Sequence, residues 1–221
     1  MFYIRLYLYL LHIIYSILTK YNKIMSKKIK LTTIHFKDYP EFLPNLTPRQ
    51  IFTLGAFGGT YWRPIYSPFK KKTYKNRYRK YNKEFWQNIP LNKLTLSSKE
   101  YDKNINYYKV KVGTSYSFWL SKGWINKDTA PYGFVEWYCG FYYGKRTNND
   151  IVQIKRWQNI ASNRGRFRLM LSRLIYKNNG KWNDDNLYPK LRQTLLHWCY
   201  ILTKKDYMND VKHLKEIGKI E

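Results

Sequence analysis

Acidic residues are scarce in this sequence. Fourteen Asp and Glu residues stand against 41 Lys and Arg residues, and the formal net charge is +27. Self-repulsion of this size destabilises a compact chain unless a polyanion offsets it. The composition therefore predicts nucleic acid as the first candidate partner and an anionic membrane surface as the second. Solubility alone is the third explanation.

Cysteine is scarce as well. Cys139 and Cys199 are far apart in the sequence, and each lies within an apolar helical pattern. A disulfide scaffold needs more cysteines than this, and a zinc site needs clustered ligands. We therefore expect two buried free thiols in a protein of a reducing, intracellular compartment, which includes the cytoplasm, the nucleus and a virion.

The N-terminal region lacks an uncharged run of membrane-spanning length. Leu6–Thr19 is uncharged over 14 residues, whereas a spanning helix needs about 20. A signal-peptide cleavage site of small residues is also missing. Residues 1–24 are thus a hydrophobic extension with two main interpretations, a membrane anchor or an untranslated stretch before a start at Met25. We favour the start at Met25, and we expect a membrane partner only if residues 1–24 are translated.

The rest of the chain is rich enough in core-forming residues to fold. Hydrophobic residues make up 44% of the sequence and aromatic residues 19%, which excludes general disorder. We divide it into an irregular basic lead-in, residues 25–46, and a single basic, aromatic-rich helical domain, residues 47–217. The predicted fold class is mainly α, one compact helical domain with one small β element, and α+β is the alternative.

Capping residues and apolar periodicity place the helices. Pro48 follows a capping Thr47, and Thr114 caps a short helix. The alternating stretch 108–112 predicts a strand, and the small β element is expected near residues 105–112. The other predicted helices are Pro131–Tyr143, a helix from 150 to 161, one that follows the turn at 162–166, one from Pro189 to Leu202, and Thr203–Ile217.

A glycine-rich stretch, residues 55–64, allows two interpretations. Its backbone N–H groups can cradle a phosphate, although it lacks both the Lys-Ser/Thr of a P-loop and the dinucleotide-binding spacing. The alternative, which we favour, is a tight turn that packs Phe57, Tyr61 and Trp62 onto the core.

Residues 70–83 contain eight cations and no acid, with Tyr74, Tyr78 and Tyr81 interleaved. Cations beside aromatic faces are typical of grooves that bind single-stranded nucleic acid. A solvated surface loop explains the segment equally well. If the segment binds nucleic acid, an exposed Tyr78 or Tyr81 would stack on bases. The candidate contacts in and near it are Arg63, Lys71, Lys75, Arg77, Tyr78 and Arg79.

The second basic group gathers near two turns and a helix N-terminus in the centre of the chain. Cations at a helix N-terminus oppose the helix dipole unless an anion binds there. The alternative is that these guanidinium groups stack on aromatic rings or pair with the few carboxylates. The candidate nucleic-acid contacts of this group are Arg146, Lys155, Arg156, Arg164, Arg166 and Arg168, and Arg173 lies near them.

No catalytic signature is present, and we assign no cofactor and no metal site. One hypothesis is that four carboxylates converge on a magnesium ion. Another is that Cys139 is a nucleophile and His197 its base. Capping roles and burial in helical stripes explain both sets more simply. The four carboxylates are Glu136, Asp150, Asp184 and Asp185.

Several motifs are unusual enough to be specific, namely GAFGGTYWRPI at 55–65, VKVGTS…W…KGWI at 110–125, PYGFVEWYCGFYYGKR at 131–146, QIKRW at 153–157, NRGRFRLML at 163–171 and RQTLLHWCY at 192–200. Together they resemble a family of uncharacterised proteins found in large DNA viruses and diverse microbes. The resemblance covers about residues 45–207 and implies no established activity. This chain has Gly140 where that family has a basic residue, which removes one candidate phosphate contact.

These observations rank three functional hypotheses. The first is a nucleic-acid-binding protein that tolerates many sequences, because cations outnumber base-reading signals. The second is a structural or assembly protein that binds another protein through aromatic surfaces. The third is an enzyme that acts on nucleic acid or on another phosphate-bearing substrate.

Overall fold

The computed structural model describes three stretches of the chain, residues 30–95, 101–126 and 128–221. By internal contacts the chain divides into two units, Met1–Lys30 and Leu31–Glu221. All the described helices and strands belong to the second unit. The expectations for residues 1–24 and for a start at Met25 lie outside the described residues.

Helices account for most of the regular structure. In chain order they are α1 (Pro48–Thr53), α2 (Lys83–Trp86), α3 (Leu91–Leu94), α4 (Tyr116–Ser121), α5 (Phe134–Tyr142), α6 (Asp150–Ala161), α7 (Arg166–Lys177), α8 (Pro189–His197) and α9 (Lys204–Glu216). Strands β1 (Ile65–Ser67) and β2 (Lys72–Tyr74) form an antiparallel pair, with Ile65 opposite Tyr74. The predicted fold class, mainly α with one small β element, is confirmed.

The location predicted for the β element, near residues 105–112, is wrong. That segment contains a 3-10 turn at Lys103–Ile105 and then bends at Lys109, whose φ of 56° is left-handed. The buried Asn106 side chain donates to the backbone oxygen of Val110 at 2.7 Å. This local hydrogen bond closes a loop, so the segment does not extend into a strand.

Two helices begin at the side-chain caps that the sequence predicts, Thr47 and Thr203. The backbone N–H of Gln50 donates to Thr47 Oγ1 at 3.2 Å, and that of Asp206 donates to Thr203 Oγ1 at 3.1 Å. The short helix α4 is capped by Ser115, one residue after the predicted Thr114.

Two predicted helices are shorter than the apolar pattern suggests. Gly133, at φ 87°, precedes α5, so this helix begins at Phe134 and not at Pro131. Cys199, at φ 60°, follows α8, which ends at His197 instead of running to Leu202. A left-handed residue interrupts the helical path at each place, and apolar periodicity does not report backbone φ.

The core is aromatic, and α5 lies at its centre. Residues Phe134–Phe141 are all buried, which is the pattern of a helix surrounded by protein. The ring of Phe42, from the segment before α1, lies 5.6 Å from Trp137 and 5.5 Å from Phe141. The same ring lies 5.2 Å from Trp157 of α6. Edge-to-face contacts of this kind add to the free energy of burial.

The buried polar groups of α5 all need partners inside the protein. The Glu136 side chain is fully buried and accepts hydrogen bonds from Arg77 Nε, from Tyr81 Oη at 2.9 Å and from the backbone N–H of Tyr132 at 2.8 Å. Burial raises the pKa of Glu136, and the Arg77 charge opposes this effect. This carboxylate therefore ties the basic segment 70–83 to the central helix.

Two other polar side chains of α5 tie it to different parts of the chain. Trp137 Nε1 donates to Asp150 Oδ1 at 2.7 Å, at the start of α6. Tyr138 Oη donates to the backbone oxygen of Leu46 at 2.9 Å, just before α1. The central helix is thus anchored by side chains on several of its faces.

Replacement of Glu136 by Gln tests this anchoring. We expect Glu136→Gln to lower the free energy of unfolding by about 2–4 kcal/mol, because it leaves the half-buried Arg77 without its counter-charge. Urea denaturation at neutral pH measures the change. Lys70→Ala is the control, since its pair with Asp128 is solvent-exposed and exposed pairs contribute less than about 1 kcal/mol. Equal stabilities for Glu136→Gln and the wild type would contradict the anchoring role.

Candidate functional site

The structure separates the central arginines into internal and exposed groups. Arg168 is buried, and its guanidinium donates hydrogen bonds to Asp210 at 2.8–3.1 Å and to Asp206 at 3.1 Å. Ser172 Oγ donates to the same Asp210 at 2.8 Å, and the Arg168 guanidinium lies 5.3 Å from the ring of Tyr200. The prediction that Arg168 contacts phosphates is therefore corrected, because its donors serve a buried ion pair.

Arg146 is exposed but already has a counter-charge. Its Nε and Nη2 donate to the two oxygens of Asp38 at 2.5 and 3.1 Å, and its guanidinium lies 3.8 Å from the ring centre of Phe141. The hydrogen bond from Arg146 lowers the pKa of Asp38. Arg146 thus joins the segment before α1 to the end of α5 and presents a neutralised charge to solvent.

The basic segment 70–83 is largely structured. Tyr78 is buried, and the ring of Trp62 lies 6.4 Å from it, so the expectation that Tyr78 is exposed for base stacking is wrong. Tyr81 is half-buried and hydrogen-bonds to Glu136. Arg77 also hydrogen-bonds to Glu136, and 12% of the Arg77 side chain is exposed. Aromatic burial in the core outweighs the solvation of the neighbouring cations.

The other predicted cations of this region remain at the surface. Lys71, Lys75 and Arg79 are exposed, as is Lys155 on α6. Arg63 is half-buried, and its Nη1 donates to the backbone oxygen of Thr60 at 2.9 Å. These residues contribute positive charge to the surface.

Three predicted cations, Arg156, Arg164 and Arg166, line one open cleft of about 860 Å³. Arg156 is on the C-terminal half of α6, Arg164 lies in the turn after it, and Arg166 is the first residue of α7. None of the described residues that line this cleft is acidic. Aromatic side chains form much of the remaining wall, namely Trp119, Trp124, Phe134, Phe167 and Trp198.

Arg156 is held in a fixed position within the cleft. Its Nη1 donates to the backbone oxygen of Trp124 and to Gln153 Oε1, both at 3.0 Å. Its guanidinium lies 5.4 Å from the Trp124 ring and 5.3 Å from the Trp198 ring. Burial lowers the pKa of Arg156, and within the described residues it has no carboxylate partner. This cation would be stabilised by an external anion.

Arg164 and Arg166 place two more exposed guanidinium groups at the cleft. The Arg164 guanidinium contacts the ring of His213, and that of Arg166 lies 5.0 Å from the ring of Phe167. Helix α7 has no side-chain cap at Gly165 and no acid in its first turn. Its free N–H groups and the two cations together favour an anion at this end of the cleft.

The aromatic wall was not predicted from the sequence. The chain has eight tryptophans, of which Trp62, Trp137 and Trp157 are buried. Three that retain exposed surface, Trp119, Trp124 and Trp198, all line the cleft. One signal was present, because Trp124 follows Gly123 and so lies beyond the helical stripe that usually marks a core tryptophan. This signal does not show that the three rings converge.

The carboxylates of the magnesium-site hypothesis lie in separate hydrogen-bond networks. No group of three or more His, Cys, Asp or Glu side chains able to hold a metal occurs within the described stretches. Each of the four carboxylates is engaged by a different residue, Arg77 for Glu136, Trp137 for Asp150, Asn186 for Asp184 and Tyr107 for Asp185.

Cys139 and His197 likewise have separate surroundings. Cys139 is fully buried, and burial raises the pKa of its thiol, so the thiolate is disfavoured. His197 Nε2 donates to the backbone oxygen of Ala56 at 2.8 Å, and its ring stacks on Phe57 at 4.5 Å. Burial lowers the pKa of His197 to about 4. Both cysteines are buried free thiols, as predicted.

The glycine-rich stretch 55–64 packs its aromatic side chains inward. Phe57, Tyr61 and Trp62 are buried, in agreement with the tight-turn interpretation. Gly55 has φ 60°, and a Cβ there would lie 2.0 Å from the backbone oxygen of Ile105. Only glycine permits this approach of two backbone segments.

Comparisons with known proteins add no assignment. No protein-family model, curated protein or solved structure matches this chain. The resemblance to proteins of large DNA viruses and microbes therefore stays a prediction. Among the described residues, no helix has both the length and the apolar character needed to cross a membrane.

The depressed pKa of His197 predicts a pH-dependent stability. The unfolded chain binds a proton near pH 6.5 and the folded protein only near 4, so stability is full above the higher value and is lost as pH falls between them. From about pH 7 to about pH 5 the loss due to His197 should be about 2 kcal/mol. Urea denaturation at the two pH values measures this loss.

His197→Gln is the matched variant, because a Gln amide can still donate to the Ala56 oxygen but does not titrate. We expect its stability to fall less than that of the wild type over the same pH interval. Parallel pH dependences for the two proteins would show that His197 titrates normally when folded.

Proposed function

We propose that this protein binds nucleic acid with little sequence preference, through the cleft lined by Arg156, Arg164 and Arg166. The observation that carries the proposal is the grouping of these three cations in a cleft whose described lining contains no acid. Phosphate groups are the anions that arginine clusters bind most readily in a planar, bidentate manner.

The contrast between arginines that have a carboxylate partner and those of the cleft supports this proposal. Arg77, Arg146 and Arg168 have counter-charges in the described part of the chain, whereas the three cleft arginines do not. Neutralisation of these other arginines leaves the cleft as a place that attracts a polyanion. The exposed Lys71, Lys75 and Arg79 would extend that attraction over the surface and accelerate encounter.

The cleft also offers few groups for reading base edges. Guanidinium groups that contact phosphates position a nucleic acid without sequence information, and aromatic faces accept any base. Among the described lining residues, the polar side chains other than the arginines are those of Tyr61, Thr114, Asn159, Thr194 and His197. Tyr61 Oη and Thr114 Oγ1 already have hydrogen-bond partners within the protein. The chemistry therefore favours sequence-tolerant binding.

A protein partner is the alternative, since partly exposed aromatic rings also suit protein interfaces. Here the rings share a cleft with three cations that lack carboxylate partners in the described residues. A protein partner would need a complementary acidic segment, whereas a nucleic acid supplies its phosphates at regular intervals. We therefore place nucleic acid first.

Binding over a salt series tests the proposal. The full chain should bind labelled oligonucleotides with a log–log salt slope of several units, because each phosphate contact releases about 0.7–0.9 counterion. Arg164→Ala/Arg166→Ala should reduce the slope by about 1.5–2 and weaken binding about 10-fold or more for every sequence tested. Fluorescence anisotropy measures both quantities.

The charge-matched control is Lys177→Ala/Lys181→Ala, which removes two exposed cations, one at the far end of α7 and one beyond it. Lys177 lies more than about 15 Å from Arg166 along the helix. The slope of this control should fall by less than about 0.5 unit. Equal losses in the two double variants would show that net charge alone drives binding. Absence of binding at low salt would overturn the proposed function.

A further inference from the structure

We propose that the aromatic cleft accepts an unpaired base, so that the ligand is single-stranded nucleic acid. This inference rests on the proposed function and deepens it. The juxtaposition that carries it is three partly exposed tryptophans, Trp119, Trp124 and Trp198, around the same cavity as three arginines.

The exposure of these rings needs a reason. Large aromatic side chains gain free energy from burial, and an exposed apolar patch in a folded protein is typical of a binding site. Trp124 keeps 41% of its surface exposed, although this chain buries other tryptophans almost completely. The cleft thus keeps aromatic surface exposed to solvent.

The rings are also fixed in place, which favours binding without a large ordering cost. Trp119 Nε1 donates to Thr114 Oγ1 at 2.5 Å, and the backbone N–H of Trp124 donates to the backbone oxygen of Trp119 at 3.1 Å. The ring of Trp198 lies 4.4 Å from that of Phe134. The first two contacts order the segment from Thr114 to Trp124, and the third joins Trp198 to α5, so the site is preorganised.

The dimensions of the cleft fit an extruded nucleotide. A volume of about 860 Å³ falls within the range of about 300–1,000 Å³ that encloses whole small molecules. In a duplex the base faces are covered by stacking, and only groove edges and phosphates are presented. An unpaired nucleotide offers both a base face for the tryptophans and a phosphate for the arginines.

The neutral groups of the cleft are compatible with this occupant. Burial lowers the pKa of His197, so its ring adds no charge beside an apolar base, and its hydrogen bond to the backbone oxygen of Ala56 fixes the position of the ring. Asn159 can donate a hydrogen bond to a base or sugar or accept one, and the Thr194 hydroxyl, which donates to the backbone oxygen of Lys190, can accept one. Arg156 lies beside both Trp124 and Trp198, which puts a phosphate-binding cation next to the aromatic surface.

The test compares strand types with the full chain. Anisotropy titrations use labelled oligo(dT), oligo(U) and a DNA duplex of equal length at one salt concentration. We expect the single strands to bind at least about 10-fold more tightly than the duplex, because base stacking adds to the phosphate contacts. The two single strands distinguish DNA from RNA as the source of the unpaired base.

Trp124→Leu isolates the stacking surface, since it keeps an apolar side chain and all three arginines. We expect it to weaken single-strand binding about 10-fold and to change duplex affinity and salt slope by less than about 2-fold. Trp182→Leu is the matched control, a partly exposed tryptophan that does not line the cleft. Thermal unfolding reports whether each variant is folded.

A second measurement does not depend on any variant. Thymidine monophosphate should quench tryptophan fluorescence of the wild type in a saturable way, and inorganic phosphate at the same concentrations should not. Saturable quenching by the nucleotide alone would support the inference. Equal effects of the two would overturn it, because the site would then recognise phosphate only.

The outcomes separate this inference from the proposed function. Equal affinity for duplex and single strand, with the salt slope lost in Arg164→Ala/Arg166→Ala, would overturn the unpaired-base inference and leave nucleic-acid binding in place. Failure to bind any oligonucleotide at low salt would overturn both.

Discussion

The burial of α5 on all sides is the constraint on which the rest of the structure depends. A helix without a solvent face must find partners inside the protein for every polar side chain it carries. Glu136 accepts hydrogen bonds from Arg77 and Tyr81, and Trp137 donates one to Asp150 at the start of α6. The route of the chain around α5 follows from these bonds, because an unsatisfied buried carboxylate would destabilise the fold by several kcal/mol.

This arrangement also decides which cations remain available. Four carboxylates neutralise arginines inside the fold or at its joints, namely Asp38, Glu136, Asp206 and Asp210. None of the described acids is left to line the cleft next to α7. The positive potential of the cleft is therefore a consequence of how a small number of acids is distributed, together with the large overall excess of Lys and Arg.

Aromatic residues serve two purposes in this protein. Some of them close the core around α5, as Phe42 does against Trp157. Others line the cleft, where the ring of Phe134 at the start of α5 supports that of Trp198. At Trp198 the candidate site is thus an extension of the aromatic core to the surface, which gives the cleft a rigid wall on that side.

The sequence by itself determined the mainly helical fold, the caps at Thr47 and Thr203 and the burial of both cysteines, because local hydrogen bonds and 3.6-residue periodicity act over short distances. It also identified Arg156, Arg164 and Arg166 as candidates for the site. Only the tertiary structure decided that Arg168 and Tyr78 are internal and that Trp124 lies beside Arg156. These outcomes depend on contacts between residues far apart in the chain, such as Arg168 with Asp210. Composition and local spacing cannot show which cation meets an acid and which is left for a ligand.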